Sequence, residues 1–161
     1  MVASLLIGAG FLFLSRGAAG RAMRLACAFL LLIAGAAFAL PRGESAVTWQ
    51  KYDTKTLAAA SAAGKPVVID FFADWCLPCK ELDAKTFGDQ RVAREMDRFV
   101  RVKADLTLAD DPATLALSKQ YGIIGVPAVV FLDAKGEELR ELRLNQFESA
   151  DPFLARLKQA R

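Results

Sequence analysis

Residues 67–80 read VVIDFFADWCLPCK. The first six, VVIDFF, are a short apolar run rich in β-formers and preceded by Pro66. A run of that length and composition predicts a buried strand. A helix is predicted to begin at about Cys76. Pro78 then falls in its first turn, where a missing N–H leaves no bond unmade. Cys76 and Cys79 thus stand three positions apart where a strand gives way to a helix, in a chain with no histidine. The pair has three candidate roles: metal clamp, structural staple or redox couple.

Zinc fits poorly. A structural zinc site takes four Cys or His ligands, and the third and last cysteine, Cys27, lies in a distant apolar segment. A staple also fits poorly, because a loop this short removes little chain entropy when closed. Redox chemistry fits the spacing. Residues i and i+3 at a helix start have neighbouring side chains, about 5–6 Å apart at Cβ, which modest adjustment brings to disulfide geometry. Cys76 faces unpaired backbone N–H groups and the positive end of the helix dipole, and both favour thiolate over thiol. Cys79 lies one turn in, more enclosed. That asymmetry suits an attacking thiol and a resolving thiol.

Around this core, strands and helices alternate. Val47–Tyr52 reads as a short strand, and Thr54–Ala63 as an Ala-rich helix stopped by Gly64. Gln90–Asp97 reads as a helix capped by Asp89. FVRVKAD, residues 99–105, alternates like a strand. Asp111-Pro112 opens a helix to about Tyr121, and AVVFLD, residues 128–133, is a strand. Ala134-Lys135-Gly136 turns that strand toward a partner at Glu138–Arg143, and Asp151-Pro152 opens the last helix. This order predicts an α/β domain over residues 47–161, with a central mixed sheet flanked by helices. Asp70, inside the apolar strand, needs a partner or a task, because a buried carboxylate has a large desolvation cost. Lys103 is a candidate partner, or else an exposed strand lysine.

The composition, 54% hydrophobic, is high for a purely soluble chain. The excess sits in residues 1–40, with residues 41–46 as a linker. VASLLIGAGFLFL, residues 2–14, and LACAFLLLIAGAAFAL, residues 25–40, flank a basic loop at 15–24 holding Arg16, Arg21 and Arg24. Three readings stand side by side. These are the last two helices of a larger membrane protein, or residues 25–40 are a lone anchor, or translation from Met23 gives a cleaved signal peptide. Each places the domain across the membrane from the cytoplasm. The net charge of +3 is small and scattered, which argues against a nucleic-acid partner.

The strand-to-helix CxxC, followed by Gly125-Val126-Pro127 before a strand, resembles the thioredoxin superfamily. Within it, ADWCLPCKELDAKTF, then Asp105-Leu106-Thr107, then GVPAVVFLDAKGEE are similar to the C-terminal periplasmic domain of the DsbD family of thiol:disulfide interchange proteins. The resemblance covers about residues 47–160. It implies a thioredoxin-like fold preceded by one or two transmembrane helices of the inner membrane, with the domain in the periplasm. It also implies roles. Cys76 matches the nucleophile and Cys79 the resolving cysteine. Asp70 matches the buried acid behind them. Asp83 falls where these domains carry a second acid, usually glutamate. Trp75 matches the flanking aromatic, Pro127 the cis-proline, and Val126 the residue whose backbone binds a partner chain. Ala128 replaces the threonine common after that proline.

The function implied is a protein-disulfide reductase that relays electrons from a membrane domain to an N-terminal periplasmic domain. Its redox centre is the cysteine pair itself, with no organic cofactor and no metal. The insert Leu77-Pro78 lacks the histidine of the strong oxidant DsbA, which favours a reductant. Two alternatives remain: a free-standing anchored or secreted thioredoxin serving cytochrome c maturation, and a non-catalytic binding module of the same fold.

Overall fold

The run VVIDFF forms the strand that its composition predicts, at the centre of a four-stranded sheet. The computed structural model describes residues 26–29, 31 and 46–160. In chain order the elements are β1 (Gln50–Lys51), α1 (Thr54–Ala62), β2 (Val67–Phe72), α2 (Leu77–Lys85), α3 (Gln90–Met96), β3 (Val100–Asp105), α4 (Pro112–Tyr121), β4 (Ala128–Leu132), a 3-10 turn (Arg140–Leu142) and α5 (Ala150–Gln159). The sheet order is β1-β3-β2-β4; β1 and β2 run parallel to β3, and β4 runs antiparallel to β2.

Pleating sends successive side chains to opposite faces. Val67, Ile69 and Phe71 of β2 enter one apolar layer with Ala60 of α1 and, at its margin, Leu117 and Tyr121 of α4. Val68 enters the other, with Leu82 of α2, Val92 and Met96 of α3, and Phe153 and Leu157 of α5. Phe153 anchors the second layer, its ring 5.5 Å from that of Phe87 and 6.1 Å from that of Phe131. Arg98 fastens the end of α5 by donating to the carbonyls of Leu157 and Ala160.

Local signals place the helix starts. Asp89 and Asp111 accept hydrogen bonds from backbone N–H groups at the starts of α3 and α4. Gly64 and Gly122 follow α1 and α4 with φ of 61°, the left-handed conformation that only glycine takes without strain. Helix α5 begins at Ala150 rather than after Asp151, which lies in its first turn and pairs with Arg91 at 2.8 Å. Strand β1 is only two residues long, because Val47 turns into the core instead of joining the ladder.

The expected strand at Glu138–Arg143 does not form. Single bridges, Leu132 to Glu138 and Val129 to Leu144, bracket a 3-10 turn. Leu139 and Leu142 are three apart, so a strand would aim them at opposite faces. The turn lets both reach the layer around Phe131.

The chain divides into two units, residues 1–41 and 42–161. In the first, residues 26–29 and 31 are helical, and Cys27 is a free thiol. The rest of the expected membrane segments, and the linker to residue 45, lie outside the described residues. Among the described residues no helix is long and apolar enough to cross a membrane.

Truncating Phe153 to Ala should destabilise the domain by about 3–5 kcal/mol, since the ring is wholly buried. Leu115→Ala, at a site 56% exposed, should cost about 0.5 kcal/mol or less. Urea unfolding of both variants measures the contrast.

Candidate active site

Strand β2 ends at Phe72, and residues 73–76 carry the chain into α2. Cys76 is the N-cap of α2, and its Sγ accepts from the Cys79 N–H at 3.1 Å. The two sulfurs are joined in a disulfide, S–S 2.01 Å and Cα–Cα 5.3 Å. Both residues are almost enclosed, 3% and 4% exposed, so Cys79 is not the more enclosed of the two as its place one turn into the helix suggests. Ala128, at the start of β4, sits opposite Phe71, which brings Pro127 to the same end of the sheet. The Val126–Pro127 bond is cis, and Val126 packs against Ala73, Cys76 and Cys79.

Trp75 does not pack inside. It is 65% exposed, and its indole Nε1–H donates to the Thr107 carbonyl at 3.2 Å. With Leu106, Thr114, Ile123, Ile124 and Val126 it lines a shallow cleft of about 170 Å³. Ile124 of that cleft and Leu77, next to Cys76 in the chain, are both exposed apolar side chains.

Asp70 shares the face of β2 that α2, α3 and α5 cover, because it alternates with Ile69 and Phe71. In the parallel register it stands directly opposite Lys103. Lys103 Nζ lies 3.5 Å from Asp70 Oδ2, and 2.6 Å and 2.8 Å from the two carboxylate oxygens of Asp83 on α2. The ammonium also sits over the Phe72 ring, 4.9 Å from its centroid. One cation therefore serves two acids and favours Asp83. Asp70 Oδ1 is buried with no hydrogen-bond partner. Burial dominates the balance. It pushes the Asp70 carboxyl up to about 7; the Lys103 charge opposes the rise and the Asp83 charge adds to it.

Of the residues singled out in the sequence, Cys76, Cys79, Trp75, Val126 and Pro127 meet at one end of the sheet. Asp70 and Asp83 meet behind it, through Lys103. The double engagement of Lys103 was not legible in the sequence, because it depends on strand register. Nothing in the sequence signals a role for Asp105 or Thr107, yet Thr107 contacts the loop that delivers Cys76.

A parallel β-α-β unit with a redox pair at the exit of its central strand, faced by a cis-proline loop, defines a class of protein. The chain belongs to the thioredoxin-like family, whose model matches residues 48–134. Within that family it is similar to the C-terminal domain of DsbD. The oxidised form of that domain from Neisseria meningitidis is 38% identical, with a TM-score of 0.57, and the match covers 70% of this chain and 99% of that one. The reduced form is 36% identical, with a TM-score of 0.58, and the match covers 70% and 100%. The thiol:disulfide interchange protein DsbD of Ralstonia nicotianae is 42% identical over 106 residues, 66% of this chain and 17% of that protein. The chain thus matches about a sixth of the length of such relatives.

The raised carboxyl of Asp70 has a consequence for stability. Ionising Asp70 opposes folding, so its neutral form supports the fold fully below about pH 4, and that support is lost as pH rises toward about 7. Asp70→Asn stays neutral at every pH. The oxidised variant should be more stable than the parent at pH 8, by on the order of 4 kcal/mol, and about equal to it at pH 4. Urea unfolding at the two pH values checks the sign; a variant less stable than the parent at pH 8 would refute it.

Proposed function

We propose that residues 47–161 act as a protein-disulfide reductase that relays electrons by dithiol–disulfide exchange. The observation that carries this reading is the Cys76–Cys79 disulfide at the N-terminus of α2, beside an exposed apolar rim. The relatives' name, thiol:disulfide interchange protein, supports it.

In the reduced protein the Cys76 thiolate attacks one sulfur of a partner's disulfide. A Cys76–partner bond forms, the partner's S–S bond breaks, and its second sulfur leaves as thiolate and takes a proton. Cys79 then loses its proton and attacks Cys76 Sγ. The Cys76–Cys79 bond forms as the Cys76–partner bond breaks, the partner's first sulfur leaves as thiolate and takes a proton, and the partner departs as a dithiol. The partner has gained two electrons from the pair and two protons, one given up by Cys79 and one from solvent. A second dithiol, by resemblance that of a DsbD-type membrane domain, reverses these steps and restores the pair. The acceptor, by the same resemblance, is an N-terminal periplasmic domain.

Asp70, with an unpaired oxygen and a carboxyl that titrates near neutrality, is suited to accept the Cys79 proton. Asp83 tunes Asp70 by competing for Lys103. Trp75 and Val126 border the sulfur pair and present apolar surface to the partner, and the backbone of Val126, next to Pro127, binds its chain. No organic cofactor or metal takes part. The apolar runs on either side of Arg16, Arg21 and Arg24 tether the domain to the inner membrane, with residues 47–161 in the periplasm.

In the reduced protein Cys76 should alkylate before Cys79. Cys79→Ala should trap a partner covalently on Cys76, and Cys76→Ser should trap none. Asp70→Asn should slow release of the mixed disulfide. Alkylation followed by non-reducing gels measures all three; preferential alkylation of Cys79, or trapping by Cys76→Ser, would overturn the assignment. A reporter active only outside the cytoplasm, fused after residue 45, should be active. A stable but inactive fusion would overturn the location.

A further inference from the structure

Three hydrogen bonds tie residues 72–75, which deliver Cys76, to residues 106–107 just past β3. Leu106 N–H donates to the Phe72 carbonyl at 2.8 Å, Asp74 N–H to Thr107 Oγ1 at 3.0 Å, and Trp75 Nε1–H to the Thr107 carbonyl at 3.2 Å. Thr107 is held in turn by Asp105. Asp105 Oδ1 accepts from the Thr107 N–H at 2.8 Å and from the Thr107 hydroxyl at 2.5 Å.

The polarity of this chain is fixed. A hydroxyl carries one proton and two lone pairs. With its proton given to the Asp105 carboxylate, Thr107 Oγ1 must turn a lone pair toward Asp74 N–H. The carboxylate charge strengthens that arrangement. The indole of Trp75 has one polar hydrogen, and it is committed to the same residue. Its rings meanwhile form a wall of the cleft shared with Ile124 and Val126. An indole this exposed would otherwise sample several rotamers, each presenting a different rim to an incoming protein.

The structure assigns Asp105 and Thr107 as positioning residues: together they lock the Asp74–Trp75 step and so fix the Trp75 wall against which a protein partner docks beside Cys76. The assignment rests on the thiol-exchange reading above. It concerns rate and selectivity for protein disulfides, since a small disulfide makes little use of the wall.

The test uses the full chain with Trp49→Phe, which leaves Trp75 as its one tryptophan. Into it go Thr107→Val, which keeps the shape but loses the hydroxyl, Thr107→Ser, which keeps the hydroxyl, and Asp105→Ala, which frees it. Two quantities are read: acrylamide quenching of Trp75 emission, and the rates at which the reduced protein reduces insulin and glutathione disulfide. Thr107→Val and Asp105→Ala should raise quenching. They should slow insulin reduction about fivefold to tenfold, the effect of losing about one hydrogen bond, and slow glutathione disulfide less. Thr107→Ser should match the parent. Unchanged quenching in Thr107→Val, equal losses on both disulfides, or a serine variant that behaves like valine would overturn the proposal. If the parent reduces neither disulfide, the exchange reading fails, and the quenching comparison alone decides whether Asp105 and Thr107 hold Trp75.

Discussion

Strand β2 is hydrogen-bonded on both edges, to β3 and to β4, and the whole redox end hangs from it. A strand in that position has no freedom of register. A slip by one residue would exchange its faces, driving Asp70 into the layer of Ile69 and Phe71 and moving those side chains into its place. The constraint that buries five of the strand's six residues therefore also fixes where the acid sits and where the chain emerges toward Cys76. Site geometry and core packing share one cause.

Electrostatics behind the site is a contest with a clear order. Desolvation of Asp70 outweighs the attraction of Lys103, partly because Lys103 lies nearer to Asp83. A fully paired carboxylate would be locked in its charged form. An isolated one in such a place would remain protonated. The shared lysine leaves Asp70 between these limits, able to exchange a proton near neutral pH. Surface pairs such as Arg91 with Asp89 and Asp151 are closer in distance, yet water screens them and they contribute little.

The sulfurs themselves are enclosed, while the residues around them are not. Cys76 and Cys79 are almost inaccessible, whereas Trp75, Leu77 and Ile124 stand out into solvent. The enclosed sulfurs thus sit beside an exposed apolar rim. Helix α4 extends that surface, since none of its residues is fully buried.

Much of this was legible in the chain itself. Asp89, Asp111, Gly64 and Gly122 act on backbone groups a few residues away, so helix limits were readable to within about a turn. The CxxC at a strand-to-helix junction was likewise legible, because its geometry is local. The partner strand expected after β4 does not form, because two leucines three apart answer to a distant core rather than to a neighbouring strand. The engagement of Lys103 with both acids, the grip of Thr107 on the Trp75 loop, and the exposure of Trp75 itself were decided by tertiary structure alone. Each depends on which strands are neighbours and in what register, and that is set by packing the whole sheet between its two helical layers.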